Sequence, residues 1–224
     1  MTDLANYHPR PLPGQSVLSG KSVRLEPINW DRHGAKLAQH IIGPNNARLW
    51  THIPIGPFDD LAALQTIMGL SVERGKWEVL AIIRTRDESV VGTASYMRIR
   101  PEHGSAEIGC VVFSQGLQRT IEATEAMYLL AAHVFDDLGY RRYEWKCDNS
   151  NTASKRAAER FGFTFEGIFR NDMVMKQKNR DTAWFAMTDA DWPLVKSGFE
   201  TWLSAQNFDT DGVQKRSLSA CRQA

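Results

Sequence analysis

The stretch that most constrains this chain is AEIGCVVFSQGLQRTIEATEAMYLLAAHVFDDLG, residues 106–139. Its short apolar run at 108–113 predicts a strand, and the polar segment 114–120 predicts a turn. Beyond the turn, Ala123, Met127, Leu130, Val134 and Leu138 recur at spacings of three and four. That spacing predicts a helix with one apolar face, and Gly139 supplies the stop that a helix C-terminus favours. The first N–H groups of such a helix lack intrahelical acceptors and stand at the positive end of its dipole. This arrangement suits an anion, above all a pyrophosphate. An ordinary helix start capped by Thr120 would use the same residues.

The chain has 224 residues, 42% hydrophobic and 24% charged, with a net charge of +1. That fits one globular domain large enough for a real core. A near-neutral balance gives no reason to expect nucleic acid or an anionic membrane as the main partner. Cys110, Cys147 and Cys221 make neither an even framework nor a C-x-x-C pair, which points to a reducing, cytoplasmic setting. No apolar run reaches 18 residues, no signal-peptide pattern precedes residue 20, and the six histidines show no metal-ligand spacing.

Three regions are expected: an extended arm at 1–20, a domain at 21–206 and a polar tail at 207–224. The prolines of 8–14 interrupt any hydrogen-bond ladder, so the arm reads as polyproline-like. It is either a loosely ordered terminus or a segment packed on the domain or on a second copy in a homodimer. A strand at 23–28, helices at 31–42 and from Asp59 or Asp60 to Gly75, and a hairpin at 78–100 lead into the organising strand. The loop at 44–58 is rich in rings and turn residues. After the crossover helix, Tyr143, Trp145 and Cys147 alternate with Arg142, Glu144 and Lys146, a strand expected parallel to the organising one. A helix at 151–161, a second hairpin turning at 177–181 and a last helix at 192–203 follow. The fold class is therefore α+β, a mixed, mostly antiparallel sheet with helices on both faces.

Gln118-Arg119-Thr120-Ile121-Glu122-Ala123, continuing Thr124-Glu125-Ala126, resembles the Q/R-x-x-G-x-G/A loop of the GNAT acyltransferases, in the RimJ/RimL-like branch of protein N-acetyltransferases. Ile121 stands where glycine is usual. Residues 20–27 resemble the family's first strand. Residues 148–154, with Ala157, Ala158 and Arg160-Phe161-Gly162-Phe163, resemble its fourth-helix motif, and the likeness runs from about 21 to 203 in family order. It implies the GNAT fold, acetyl-CoA as acyl donor without a metal, and an amine acceptor.

By that resemblance, backbone groups of Arg119, Thr120, Ile121, Glu122, Ala123 and Thr124 cradle the pyrophosphate, helped by Gln118 and Arg119 side chains. Val111 and Val112 offer backbone groups to the pantetheine amides, as an added strand would. Asn151 meets the pantetheine, and Ser154 stands near the leaving sulfur; both also suit a helix start. Glu107 is the candidate base, because a buried carboxylate titrates nearer neutrality; a salt-bridged strand residue is the alternative. Asp172 is the second carboxylate, with Met173 where relatives carry a catalytic glutamate.

The acceptor side is expected between the 44–58 loop, with Trp50 and His52, and the second hairpin, with Arg170, Lys176, Lys178 and Arg180; packing of the loop itself is the alternative for Trp50 and His52. Four cations against Asp172 and Asp181 favour a neutral or acidic amine over a polycation. The implied activity is acetyl transfer to a primary amine, of a small molecule or a peptide N-terminus, by direct attack. A catalytically weak acyl-CoA-binding or scaffolding domain is the alternative.

Overall fold

The structure is a computed structural model and describes residues 4–222. Its strands are β1 (Leu18–Ser19), β2 (Val23–Pro27), β3 (Glu78–Arg84), β4 (Ser89–Arg100), β5 (Ser105–Phe113), β6 (Arg142–Asp148), β7 (Thr164–Met175) and β8 (Lys178–Thr188). They form one sheet in the order β1-β2-β3-β4-β5-β6-β8-β7. Among the described residues only β5 and β6 are parallel, joined by a helical crossover; every other pairing is antiparallel. The fold is the α+β arrangement expected from the sequence.

The helices are α1 (Trp30–Ile41), α2 (Leu61–Gly75), α3 (Ile121–Ala132), α4 (Thr152–Arg160), α5 (Trp192–Leu203) and the short α6 (Leu218–Cys221). Asn29, Asp60, Thr120 and Asn151 each accept a hydrogen bond from the backbone N–H three residues on, worth about 1 kcal/mol per cap. Ala123, Met127, Leu130 and Val134 of the crossover are buried as their spacing predicts. The last turn, His133–Asp137, widens into a π-helix before Gly139 turns left-handed at φ 68°. Two cores result. α3, α5 and α6 cover one face of the sheet over Ala106, Ile108, Tyr143 and Trp145. α1 and α2 cover the other over Val79, Ala81, Ile83 and Val112.

Of the readings open for the arm, its described part takes packing on the domain: Arg10 N and Tyr7 Oη donate to Pro101 O, and Tyr140 Oη donates to Pro11 O. Other segments differ from expectation. The stretch after Asn207, expected as a polar tail, folds back because Leu218 and Cys221 are apolar enough to join the core. The second hairpin turns at Lys176-Gln177, not at 177–181. Both residues hold positive φ, 48° and 63°, as a two-residue turn matching strand twist requires. β8 therefore begins at Lys178.

Candidate active site

The parallel pairing of β5 with β6 runs from Ser105 opposite Arg142 to Ile108 opposite Trp145 and goes no further. Past it, β5 bulges: Ser95 of β4 pairs with Gly109 and Thr93 with Val112, so Cys110 and Val111 together stand opposite Ala94, one residue too many. Cys110 carries φ 44°, and burial pushes its thiol up to about 12. From Gly109 onward the side of β5 that faced β6 has no strand on it. This includes Val111 and the backbone of Val112, as an inserted extended ligand would need.

Glu107 lies just before this opening on the α1–α2 face of the sheet and is buried, 5% exposed. Lys146 Nζ is 2.6 Å from its Oε2 and Arg98 Nε is 3.8 Å away. Burial raises the Glu107 pKa, and the two cations only partly offset it. Its strand neighbour Glu144 is equally buried but is held by Arg100 at 2.8 Å and Arg142 at 2.7 Å. The absence of a side chain at Gly109 leaves the Glu107 carboxylate room, since a Cβ there would stand 3.0 Å from Oε1 and 2.5 Å from Met97 Sδ.

At the start of α3, several expected donors are already used. Ala123 N donates to the Thr120 hydroxyl, Thr124 N to Thr120 O, and Gln118 Nε2 to Phe113 O. The Thr124 side chain is buried and accepts from Arg160, and the Ala123 side chain faces the core. The N–H groups of Arg119, Ile121 and Glu122 have no partner among the described residues. Arg119 takes the left-handed conformation, φ 63°. Ile121 is simply the first helical residue, so a glycine there is not required by the backbone.

Ser154 sits on the opposite face of the sheet from Glu107, in the first turn of α4. Its N–H donates to the Asn151 cap, and Trp145 Nε1 donates to its Oγ at 3.0 Å. The hydroxyl proton is thereby left to point elsewhere.

A family model for the acetyltransferase (GNAT) domain matches residues 23–164, more than half of the chain. The chain belongs to the GNAT acetyltransferase family. A GCN5-related N-acetyltransferase from Brucella melitensis is 40% identical, with a TM-score of 0.93, 98% of this chain and 99% of that one being covered. A probable GNAT-family acetyltransferase from Chromobacterium violaceum is 39% identical at a TM-score of 0.80, over 86% and 96% of the two chains. An uncharacterized N-acetyltransferase, p20, from Bacillus licheniformis is 29% identical over 61% of this chain and 78% of its own. Structural neighbours also include ribosomal-protein acetyltransferases, at 17% and 20% identity, a likeness of fold.

GNAT proteins use acetyl-CoA as co-substrate. The residues here fit such a ligand: three unpaired N–H groups at a helix N-terminus for phosphate, and an unpaired stretch of β5 for amides. Among the described residues no cluster of His, Cys, Asp or Glu is placed to hold a metal, and no helix is long and apolar enough to cross a membrane.

On the acceptor side, the sequence reading needs correction. Trp50 is 1% exposed, packs edge-on against Phe58 at 4.8 Å and donates its Nε1 to Ile41 O. It is a core residue, because its large ring closes the space between α1 and the loop, and it offers no wall. His52 is half-exposed, its Nδ1 3.6 Å from Asp148 Oδ2. Burial raises the Asp148 pKa, but hydrogen bonds from Ser150 and the contact with His52 outweigh it and leave the carboxylate lowered. Arg170 and Asp172 are exposed on β7, the edge strand, where the structure does not bring them to Glu107. Lys146, Arg98 and Trp184 went unnoticed in the sequence. The polar alternation of β6 did signal that Lys146 shares a face with Glu144.

Proposed function

We propose that this GNAT protein moves an acetyl group from acetyl-CoA to a primary amine, on a small molecule or a peptide N-terminus, by direct attack. The observation that supports this most is Glu107: a buried carboxylate with a raised pKa, beside the gap where β5 and β6 part. Acetyl-CoA supplies an activated acyl group, whose C–S bond breaks as the C–N bond forms. Glu107, acting as base, takes a proton from the incoming ammonium, freeing the nitrogen lone pair. Ser154 gives its hydroxyl proton to the departing sulfur and is reprotonated as the nitrogen sheds its second proton to become the amide. The N–H groups of Arg119, Ile121 and Glu122 hold the pyrophosphate, with the Arg119 side chain beside them. Val111, Val112 and Asn151 line the pantetheine path, and His52 borders the acceptor. The three cysteines are free, in keeping with a reducing, cytoplasmic setting.

The test is thiol release from acetyl-CoA with a panel of neutral, acidic and polycationic amines and short peptides. Release with at least one class, reduced in Glu107→Gln, is expected. Acetyl-CoA binding without release for any amine would overturn the reading in favour of an acyl-CoA-binding domain.

A further inference from the structure

Alternate residues of β8, Arg180, Thr182 and Trp184, share the sheet face that carries Glu107 and Lys146, because Trp184 pairs with Lys146 and Thr182 with Asp148. Each ends in a buried polar atom without a hydrogen-bond partner: Arg180 Nε, Thr182 Oγ1 and Trp184 Nε1. Arg180 is the unusual one. It is 9% exposed, yet its Nη1 reaches only the Met175 thioether, at 3.6 Å, and it joins no ion pair among the described residues. A guanidinium out of water and without a carboxylate is costly.

Other cations of the chain have settled their needs differently. Arg160 lies over the Phe161 and Trp202 rings and donates to Thr124. Arg222 donates to the carbonyls of Arg160 and Glu159. On the same hairpin, Lys176 spends its ammonium on Trp50 O at 2.7 Å, tying the hairpin to the 44–58 loop, while Arg170 and Lys178 are exposed. Arg180 therefore stands buried, facing the side of the sheet opposite α3, with donors unspent.

We propose that Arg180 seats a carboxylate carried by the amine acceptor, at some distance from the nitrogen that is acetylated. The proposal rests on the acyl-transfer reading above. The spacing follows from the strand. Lys146, which touches Glu107, lies 4.5 Å from the Trp184 ring, and Arg180 is four residues from Trp184, about 13 Å along a strand. Even with the reach of an arginine, a simple α-amino acid is too short to join the two. An ω-amino acid or a short peptide with an acidic residue spans them.

The experiment compares ω-amino acids with their primary amides, and C-terminally amidated short peptides ending in Glu with those ending in Gln. In the wild type, kcat/KM is expected to favour the acid by about tenfold or more, mainly through KM, as a charge-assisted hydrogen bond allows. Arg180→Gln should bring that ratio towards one, and Arg180→Lys should keep part of it. The arm that shows the preference separates a small acid from a peptide. Arg180→Met, which leaves no polar atom orphaned, serves where Arg180→Gln does not fold. Calorimetry of the same pairs with CoA present reads the site without turnover. Amines acetylated with no acid preference, or a preference that survives Arg180→Met, would overturn the inference and leave acyl transfer standing. No thiol release with any amine would overturn acyl transfer, and calorimetry would still decide for or against Arg180.

Discussion

Lys146 Nζ lies 2.6 Å from Glu107 Oε2, and the two residues bracket the last pair of the parallel strands. Glu107 stands one residue before Ile108 and Lys146 one after its partner Trp145. Ion-pairing lowers a carboxylate pKa and burial raises it; here burial wins. A base must be ionised to act, so activity falls as pH drops through this raised pKa. The acid limb of the kcat/KM profile is expected above the ordinary carboxylate range. Lys146→Met removes a cation that favours the ionised form, so the limb should move to higher pH. Lys146→Arg should move it less. Glu107→Gln is expected to cost about a hundredfold or more in turnover with acyl-CoA affinity kept. Full activity of Glu107→Gln from pH 6 to 9 would remove Glu107 as base.

Strand and helix order was legible because residues such as Leu130 and Tyr143 follow the periods of three to four and of two that burial on one face demands. The strand–turn–helix from β5 into α3 was legible for the same local reason. Pairings across strands were not, since Glu107 meeting Lys146 depends on register. Trp50 failed as a wall residue because a ring in a turn-rich loop packs inward as readily as outward. The hairpin turn was misplaced because Lys176 and Gln177 take positive φ without the Asn or Gly that usually announces it.

Arg119 offers a cleaner probe of the acyl-CoA cradle than Ala123, whose side chain is in the core and whose enlargement would damage the fold. Arg119 is exposed at the turn before α3. Arg119→Glu places a negative charge beside the unpaired N–H groups and is expected to weaken CoA binding about tenfold at low salt, less as salt screens it. Calorimetry at two ionic strengths checks this. Equal affinities for wild type and variant at low salt would place the phosphates elsewhere.

Glu125 shows how α3 is fastened to the sheet. Its carboxylate accepts from the N–H groups of Lys21, Ser22 and Val23 at 2.7, 2.7 and 3.1 Å, and from the Ser22 hydroxyl at 2.5 Å. Gly20 lets the chain come this close, since a Cβ there would stand 2.6 Å from Glu125 Cδ. Glu125→Ala orphans these donors and is expected to cost about 2–4 kcal/mol. For a chain of this length that is a fall in Tm on the order of 10 °C, read by calorimetric melting. A fall under about 2 °C would show that water replaces the carboxylate.

Trp145 and Ser154 make the last test. Trp145 Nε1 donates to Ser154 Oγ at 3.0 Å, which occupies a lone pair of the oxygen and not the hydroxyl proton. If Ser154 protonates the departing sulfur, Ser154→Ala should lower kcat about ten- to a hundredfold with little change in the KM for acetyl-CoA. Trp145→Phe keeps a ring against Phe161 and Phe163 but loses the donor, so the hydroxyl can turn away. A smaller loss in kcat is expected. In Ser154→Ala, Trp145→Phe should add no further loss, because the two act through one atom. Independent, multiplying losses in the double variant would show that Trp145 acts by packing alone. Full kcat in Ser154→Ala would mean that solvent, not the hydroxyl, protonates the thiolate.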